Sequence, residues 1–238
     1  MQVIHKQSNS PLVISIPHSG TDIPQDIAPI CNLATKREHT DWELQELVAP
    51  LSETTLVANV SRYIVDVNRF KLRTRKATQP IIPRIDEVGN QLFNNYPSKK
   101  KQADWLQRYY SPYYLHLENL LNEKLEQHEK VLLVDLHSYD DKLFQTSDII
   151  LGTRKKQTIN EELLAQLQRL FHEEGISTQV DTPFLGGNII TTFGKRPRIE
   201  AVQIEVPYSL YLEGHSLHEE RSTALQQQLI RIFQKVWM

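Results

Sequence analysis

With 238 residues the chain is long enough for one substantial hydrophobic core and short for two. Apolar residues make up 39% and charged residues 24%, a globular balance that excludes extended disorder, and a formal net charge of −2 gives no electrostatic basis for binding nucleic acid or an anionic membrane. Cys31 is the only cysteine, which excludes an intramolecular disulfide and fits a reducing compartment; Met1–Ser10 lacks an apolar leader, no apolar run approaches ~20 residues, and a cytoplasmic location is expected.

The apolar run Leu12–Ile16 reads as a short buried strand, stopped by Pro17 and a turn at Gly20. Thr40–Leu51 carries Trp42, Leu44, Leu47, Val48 and Leu51 at helical spacing, with Pro50 near its end. Leu56–Val60 and Tyr63–Val67 read as two β-branched strands around Ser61 and Arg62. Lys71–Pro97, with Pro80, Pro83, Gly89 and Pro97, has little periodicity and is expected to form a long loop, usually a functional or mobile element. A long helix is expected over Lys100–Glu129, with an interruption at Pro112.

Val131–Leu136 is the clearest buried strand, and Asp148–Leu151 reads as another. Asn160–Glu174 is an amphipathic helix closed by Gly175. Ile199–Val206 is a further strand and Ser216–Val236 a terminal helix. Strands alternating with helices predict an α/β fold with helices packed on a largely parallel or mixed sheet. No repeat, low-complexity tract or linker divides the chain, so one domain over residues 1–238 is expected.

Three segments place polar residues directly after an apolar strand, where ligand sites gather in open α/β sheets. They are Leu12–Gly20 with His18, Val131–Ser138 with His137, and Ala201–Pro207 with Glu205. Two imidazoles and a carboxylate suit a metal hydrolase, in which neutral nitrogens hold the ion and a carboxylate handles protons. Each residue alone reads equally well as a hydrogen-bonded loop histidine or a structural ion-pair glutamate.

In Val60–Arg69, Arg62 and Arg69 stand with Asp66 and Asn68 around an apolar stretch. Guanidinium forks grip carboxylates through two parallel bonds, so the pair suits a dianionic substrate; the structural reading is an Arg–Asp bridge on a solvated face. Lys71, Arg73, Arg75, Lys76 and Lys99–Lys101 lack interleaved aromatics and read as solvated loop charges. There is no G-x-S-x-G elbow, and Gly187–Lys195 has the wrong spacing for a phosphate loop.

The motifs Pro17-His18-Ser19-Gly20 with Ile23-Pro24, Thr40-Asp41-Trp42, Ser61-Arg62 through Asp66-Val67-Asn68-Arg69, Asp135-Leu136-His137-Ser138 and Gln203-Ile204-Glu205 occur in this order. Together with Phe184-Leu185-Gly186-Gly187 and Gly194, they resemble the N-formylglutamate amidohydrolase family over about residues 11–215. That family is related to zinc carboxypeptidases and aspartoacylases, so the resemblance implies a zinc-exopeptidase-like α/β/α sandwich around a mixed sheet. It implies release of formate from N-formyl-L-glutamate, with zinc or another divalent metal as cofactor and a place in histidine degradation. It further implies His18 and His137 as metal ligands, Glu205 as general base, and Arg62, Arg69 and Asn68 on the substrate. For the third ligand, carboxypeptidase spacing points to Asp22, whereas the family pattern favours Asp41. The family's Pro-Tyr-His in the central helix is Pro112-Tyr113-Tyr114 here, which puts the substrate in question more than the reaction. A zinc acylase or carboxypeptidase acting on another small acidic N-acyl amino acid, and a metal-free binder of acidic metabolites, are the competing readings.

Overall fold

The structure, a computed structural model, describes residues 2–4, 8–32, 39–70 and 80–236. Seven strands form one sheet: β1 (Gln2–Ile4), β2 (Leu12–Ile16), β3 (Thr54–Val57), β4 (Val131–Tyr139), β5 (Ile149–Gly152), β6 (Thr178–Val180) and β7 (Ile199–Pro207). Their order is β1-β3-β2-β4-β7-β5-β6. β3, β2, β4 and β7 run parallel, β5 joins β7 antiparallel and β6 follows β5 in parallel, so the sheet is mixed, as expected.

Side-chain parity along the central strands sorts the core into two layers, because alternate residues of a strand face opposite sides of a sheet. Leu12, Ile14, Leu132, Val134, Val202 and Ile204 pack with α1 (Leu44–Val48), α5 (Glu161–Glu173) and α7 (Glu219–Lys235). Val13, Leu56, Val131, Leu133, Ile199 and Ala201 pack with α2 (Lys99–Trp105), α3 (Ser111–Gln127) and α6 (Asn188–Phe193). The result is an α/β/α sandwich whose strands are buried on both faces, which is why they read as continuous apolar runs. A short helix α4 (Asp141–Phe144) joins β4 to β5, and a small hairpin, Leu212–Glu213 with Ser216–Leu217, precedes α7. No described helix is long and apolar enough to cross a membrane.

Four expectations are corrected. Tyr63–Val67 is not a strand: Ile64 and Val65 both donate to the Ser61 carbonyl, so these buried residues form a turn, and apolar burial rather than ladder pairing accounts for their composition. The Thr40–Leu51 helix shrinks to Leu44–Val48, because Glu43 adopts a left-handed φ of 56° and Asp41 is drawn back to the His18 carbonyl (3.1 Å). At the carboxyl end, Ser216–Leu217 belongs to the hairpin and the helix starts at Glu219. The long central helix does not break at Pro112; it widens into a π turn over Leu106–Tyr110, and Pro112 occupies the first turn of α3, where its missing N–H is tolerated. Of the expected loop Lys71–Pro97, residues 71–79 and their charges lie outside the described residues; from 80 onward it is irregular apart from an isolated Ile85–Gln91 bridge.

Candidate active site

The parity that builds the second core layer also builds the site. At their amino ends β2, β4 and β7 present Val13, Val131, Leu133, Ile199 and Ala201 to that layer; two and four residues further on, the same face carries Ser15, Asp135, His137, Gln203 and Glu205. β4 and β7 are in register, pairing Asp135 with Gln203 and His137 with Glu205. His137 and Glu205 therefore lie within the strands rather than after them, and only His18 follows its strand.

His18, Asp41 and His137 converge: one ligand atom from each lies within 4.8 Å of the others, and all three are buried. His18 Nδ1 is 3.8 Å and His137 Nδ1 2.9 Å from Asp41 Oδ2. Asp41 is held in place by its neighbours, since Tyr208 donates to the Thr40 carbonyl (2.6 Å) and Tyr211 to the Trp42 carbonyl (2.8 Å). Asp22, the alternative third ligand, is exposed and lies on a bridge to Val60, outside this cluster.

Behind each imidazole stands a carboxylate. His18 Nε2 lies 2.7 Å from Asp66 Oδ1, and His137 Nε2 lies 3.2 Å from Asp135 Oδ2. Burial, with repulsion from Arg62, pushes the His18 pKa down to about 4, so the ring is neutral at pH 7. Asp66 stays ionised: burial opposes its charge, but His18, Arg62 and Arg69 hold its pKa well below the usual carboxylate range. A neutral His18 donating from Nε2 to Asp66 leaves a lone pair on Nδ1, and that buried atom has no hydrogen-bond partner. For His137, burial disfavours protonation, but Asp135, Asp41 and Glu205 hold its pKa well above the ordinary imidazole value.

Asn68, expected on the substrate, lines the cleft and is also hydrogen-bonded within the site. Its amide donates to Asp135 Oδ2 (2.8 Å) and lies 2.9 Å from His137 Nε2, while its carbonyl accepts from Ile189 N (2.9 Å). The side chain thus braces the site. Gly187 makes that possible, because a Cβ there would collide with the Asn68 amide. Arg62 and Arg69 both bind Asp66 Oδ2, at 3.1 and 3.0 Å, and both line the cleft. The expected Arg–Asp bridge is therefore present, but at the site rather than on a solvated face.

Glu205 accepts from Gln203 Nε2 (2.7 Å), and Gln203 accepts from Gly187 N (2.8 Å). Burial and the nearby Asp41 carboxylate push Glu205 up to about 8 against the opposing pull of His137 and Arg62. Strong perturbation of several groups around one cleft is what functional sites produce. Tyr114, in place of the family's histidine, donates to the Val67 carbonyl (2.9 Å) and accepts from Asn188 (2.6 Å), and His116 is exposed. Asp66, Asp135 and Gln203 were not singled out as site residues from sequence. The Asp-x-His and Gln-x-Glu spacings, which put both members of each pair on one strand face, are the signals that reveal the latter two.

These residues open onto a cleft of about 360 Å³. A profile described as N-formylglutamate amidohydrolase matches residues 10–212. An N-formylglutamate deformylase of Pseudomonas aeruginosa is 29% identical over 227 residues, covering 87% of this chain and 84% of that protein. In fold the chain is similar to an N-formylglutamate amidohydrolase from Ralstonia eutropha, with a TM-score of 0.81, 22% identity and coverage of 97% of this chain and 95% of the other. A gene product from Agrobacterium tumefaciens is also similar, with a TM-score of 0.76, 16% identity and 97% and 90% coverage. With most of its length matched in sequence, the chain belongs to the N-formylglutamate amidohydrolase family.

Proposed function

We propose that this protein hydrolyses the formyl amide of N-formyl-L-glutamate, giving formate and L-glutamate, in a metal-dependent reaction and as one domain over residues 1–238. The observation that carries the reading is the buried meeting of His18, Asp41 and His137 beside Glu205 and two arginines in one cleft. Family membership and the deformylase relative support the substrate.

The residues present fit a divalent cation. The unpartnered Nδ1 of neutral His18, the Nδ1 of His137, whose proton now held toward Asp41 an ion would displace, and a carboxylate oxygen form a two-nitrogen, one-oxygen donor set of the kind that holds zinc in hydrolases. Carboxylates behind both rings are the usual outer partners, fixing tautomer and orientation. His18, Asp41 and His137 would hold the ion, which when bound polarises a carbonyl and makes water acidic near neutral pH. Arg62 and Arg69, with Asp66 between them, orient the substrate carboxylates so that the amide lies across the centre. Glu205, raised to about 8 by burial, would be drawn back toward its ionised form by the positive charge of a bound ion; as a carboxylate it accepts the proton of the attacking water and delivers it to the leaving nitrogen, with Gln203 keeping it aimed. Asn68 acts as a positioning residue for the His137 side.

The decisive experiment measures formate release from N-formyl-L-glutamate by protein purified without chelator. Activity lost with a chelator and restored by zinc or another divalent ion is expected. Chelator-resistant turnover would remove the metal from the reading, and no turnover by metal-loaded protein would remove the substrate.

A further inference from the structure

One wall of the cleft is apolar in a way that a formyl group does not require. Leu143 and Phe144, on α4, are 60% and 39% exposed, yet both line the cleft. They belong to a packed ledge. The Phe144 ring lies 4.8 Å from Phe184 and 5.8 Å from Tyr139, centroid to centroid, and Tyr139 lies 5.2 Å from Phe184. Tyr139 is anchored in turn through its hydroxyl to the Asp148 carbonyl (2.6 Å). Two separate connections, the one carrying α4 and the one after β6, thus supply a preformed aromatic surface. Asp140 lines the same wall and opposes an anionic group there.

The sheet places this ledge relative to the arginines. Arg62 and Arg69 follow β3, His18 follows β2, His137 lies on β4 and Glu205 on β7. The ledge belongs to the connection from β4 to β5 and the segment after β6. In the order β3-β2-β4-β7-β5-β6, the segment bearing the arginines leaves β3 on one side of the strands of the His18–Asp41–His137 centre, and α4 with Leu143 and Phe144 leads to β5 on the other, while the segment of Phe184 runs back to Asn68 at Gly187 and closes the ledge. An amide cut at that centre has its two halves on opposite sides of it. With the amino-acid carboxylates at the arginines, the acyl half points at Leu143, Phe144 and Phe184. A formyl group, a single carbon, ends where the bond is cut, and a cleft of about 360 Å³ falls in the range that takes considerably larger ligands.

We infer that the site accepts N-acyl derivatives of acidic amino acids whose acyl group is uncharged, apolar and several carbons long or aromatic, seated on the ledge of Leu143, Phe144 and Phe184. The inference rests on reading the site as an amidohydrolase that holds the amino-acid half at the arginines. The reaction balances as for the formyl substrate: water oxygen bonds to the acyl carbon, the C–N bond breaks, the nitrogen takes a proton, and a carboxylic acid and the free amino acid leave.

The test compares kcat/KM of the metal-loaded protein for N-formyl-, N-acetyl-, N-butyryl-, N-hexanoyl- and N-benzoyl-L-glutamate, read as glutamate release. Each added methylene that reaches the ledge is expected to raise kcat/KM relative to the acetyl substrate by about twofold to fourfold. In Leu143→Ser/Phe144→Ser, checked for folding by thermal melting, the hexanoyl-to-acetyl ratio is expected to fall by about tenfold. Cleavage of long-acyl substrates without cleavage of N-formyl-L-glutamate supports the ledge and overturns the formyl assignment. A flat or falling series alongside good formyl turnover overturns the ledge and leaves that assignment standing. A ratio unchanged in the double variant also overturns the ledge, and failure to cleave any of the five overturns both.

Discussion

Replacing Asp66 by Asn tests the connection between the arginines and the centre. Asp66 accepts from His18 Nε2 (2.7 Å), Asn68 N (2.9 Å), Arg69 Nε (3.0 Å) and Arg62 (3.1 Å), and is itself 3% exposed. The amide keeps the shape but loses the charge. Arg62, with a side chain only 16% exposed, becomes a buried cation without its main counter-ion; Arg69, at 39%, is screened by solvent and contributes little. Breaking one side of a buried pair costs about 3–5 kcal/mol. At about 2–4 °C per kcal/mol for a chain of this size, Tm should fall by roughly 6–20 °C. Because the folded-state pKa of Asp66 lies well below the ordinary 3.8, its contribution is present in full above that value and is lost as pH falls below it. Wild type and variant should therefore converge in acid. The carboxylate also orients His18, so metal affinity should drop about 10–100-fold, as for other outer-shell partners of ligating histidines. Competition against a chromophoric chelator, below the variant's Tm, measures this. A destabilised variant with unchanged metal affinity would refute the claim that Asp66 serves the centre and leave it a counter-ion for the arginines alone.

Asp41→Ala should lose far more metal affinity than Asp22→Ala in the same chelator competition; the opposite ranking would move the third ligand out of the cluster. Arg69→Ala should raise KM for N-formyl-L-glutamate about tenfold to a hundredfold with kcat less affected, and Lys should restore only part, because a point charge lacks the planar fork. Unchanged kinetics would return Arg69 to the role of a counter-ion for Asp66. Glu205→Gln should retain metal and lower kcat by about 10²–10⁴ with little change in KM, as expected for a positioned proton acceptor; near-normal turnover by a stable, metal-loaded variant would place the base elsewhere.

The central strands were legible because burial on both faces makes their sequences apolar throughout, and β4 differs from expectation mainly in running on past His137. What composition could not separate was burial from ladder pairing. Ile64 and Val65 are as buried as strand residues, yet their amides close a turn on Ser61, so a β-branched run there signals a packed turn. The short α1 has a similar origin: Asp41 is fixed by long-range bonds from Tyr208 and Tyr211 to its neighbours, which no local periodicity reports. His18, His137 and Glu205 stood out because polar groups among apolar ones are conspicuous. Asp66, Asp135 and Gln203 did not, since a brace is defined by the group it holds. Asn68 stood out as a substrate residue; its bonds to Asp135 and Ile189, which also brace the histidine, join groups that no local pattern connects.

The paired register of His137 with Glu205 and of Asp135 with Gln203 has an evolutionary consequence. Spacing between those side chains is a property of the backbone ladder, so drift in the surrounding loops leaves it intact. A single inserted residue before His137 in β4, by contrast, would turn it to the opposite face and destroy the centre in one step. Leu143, Phe144 and Phe184 stand outside the sheet, on connections that tolerate insertion and replacement. Descendants of such a chain are free to exchange one acyl preference for another by rewriting those connections, while the arithmetic of the strands keeps the bond-breaking apparatus unchanged.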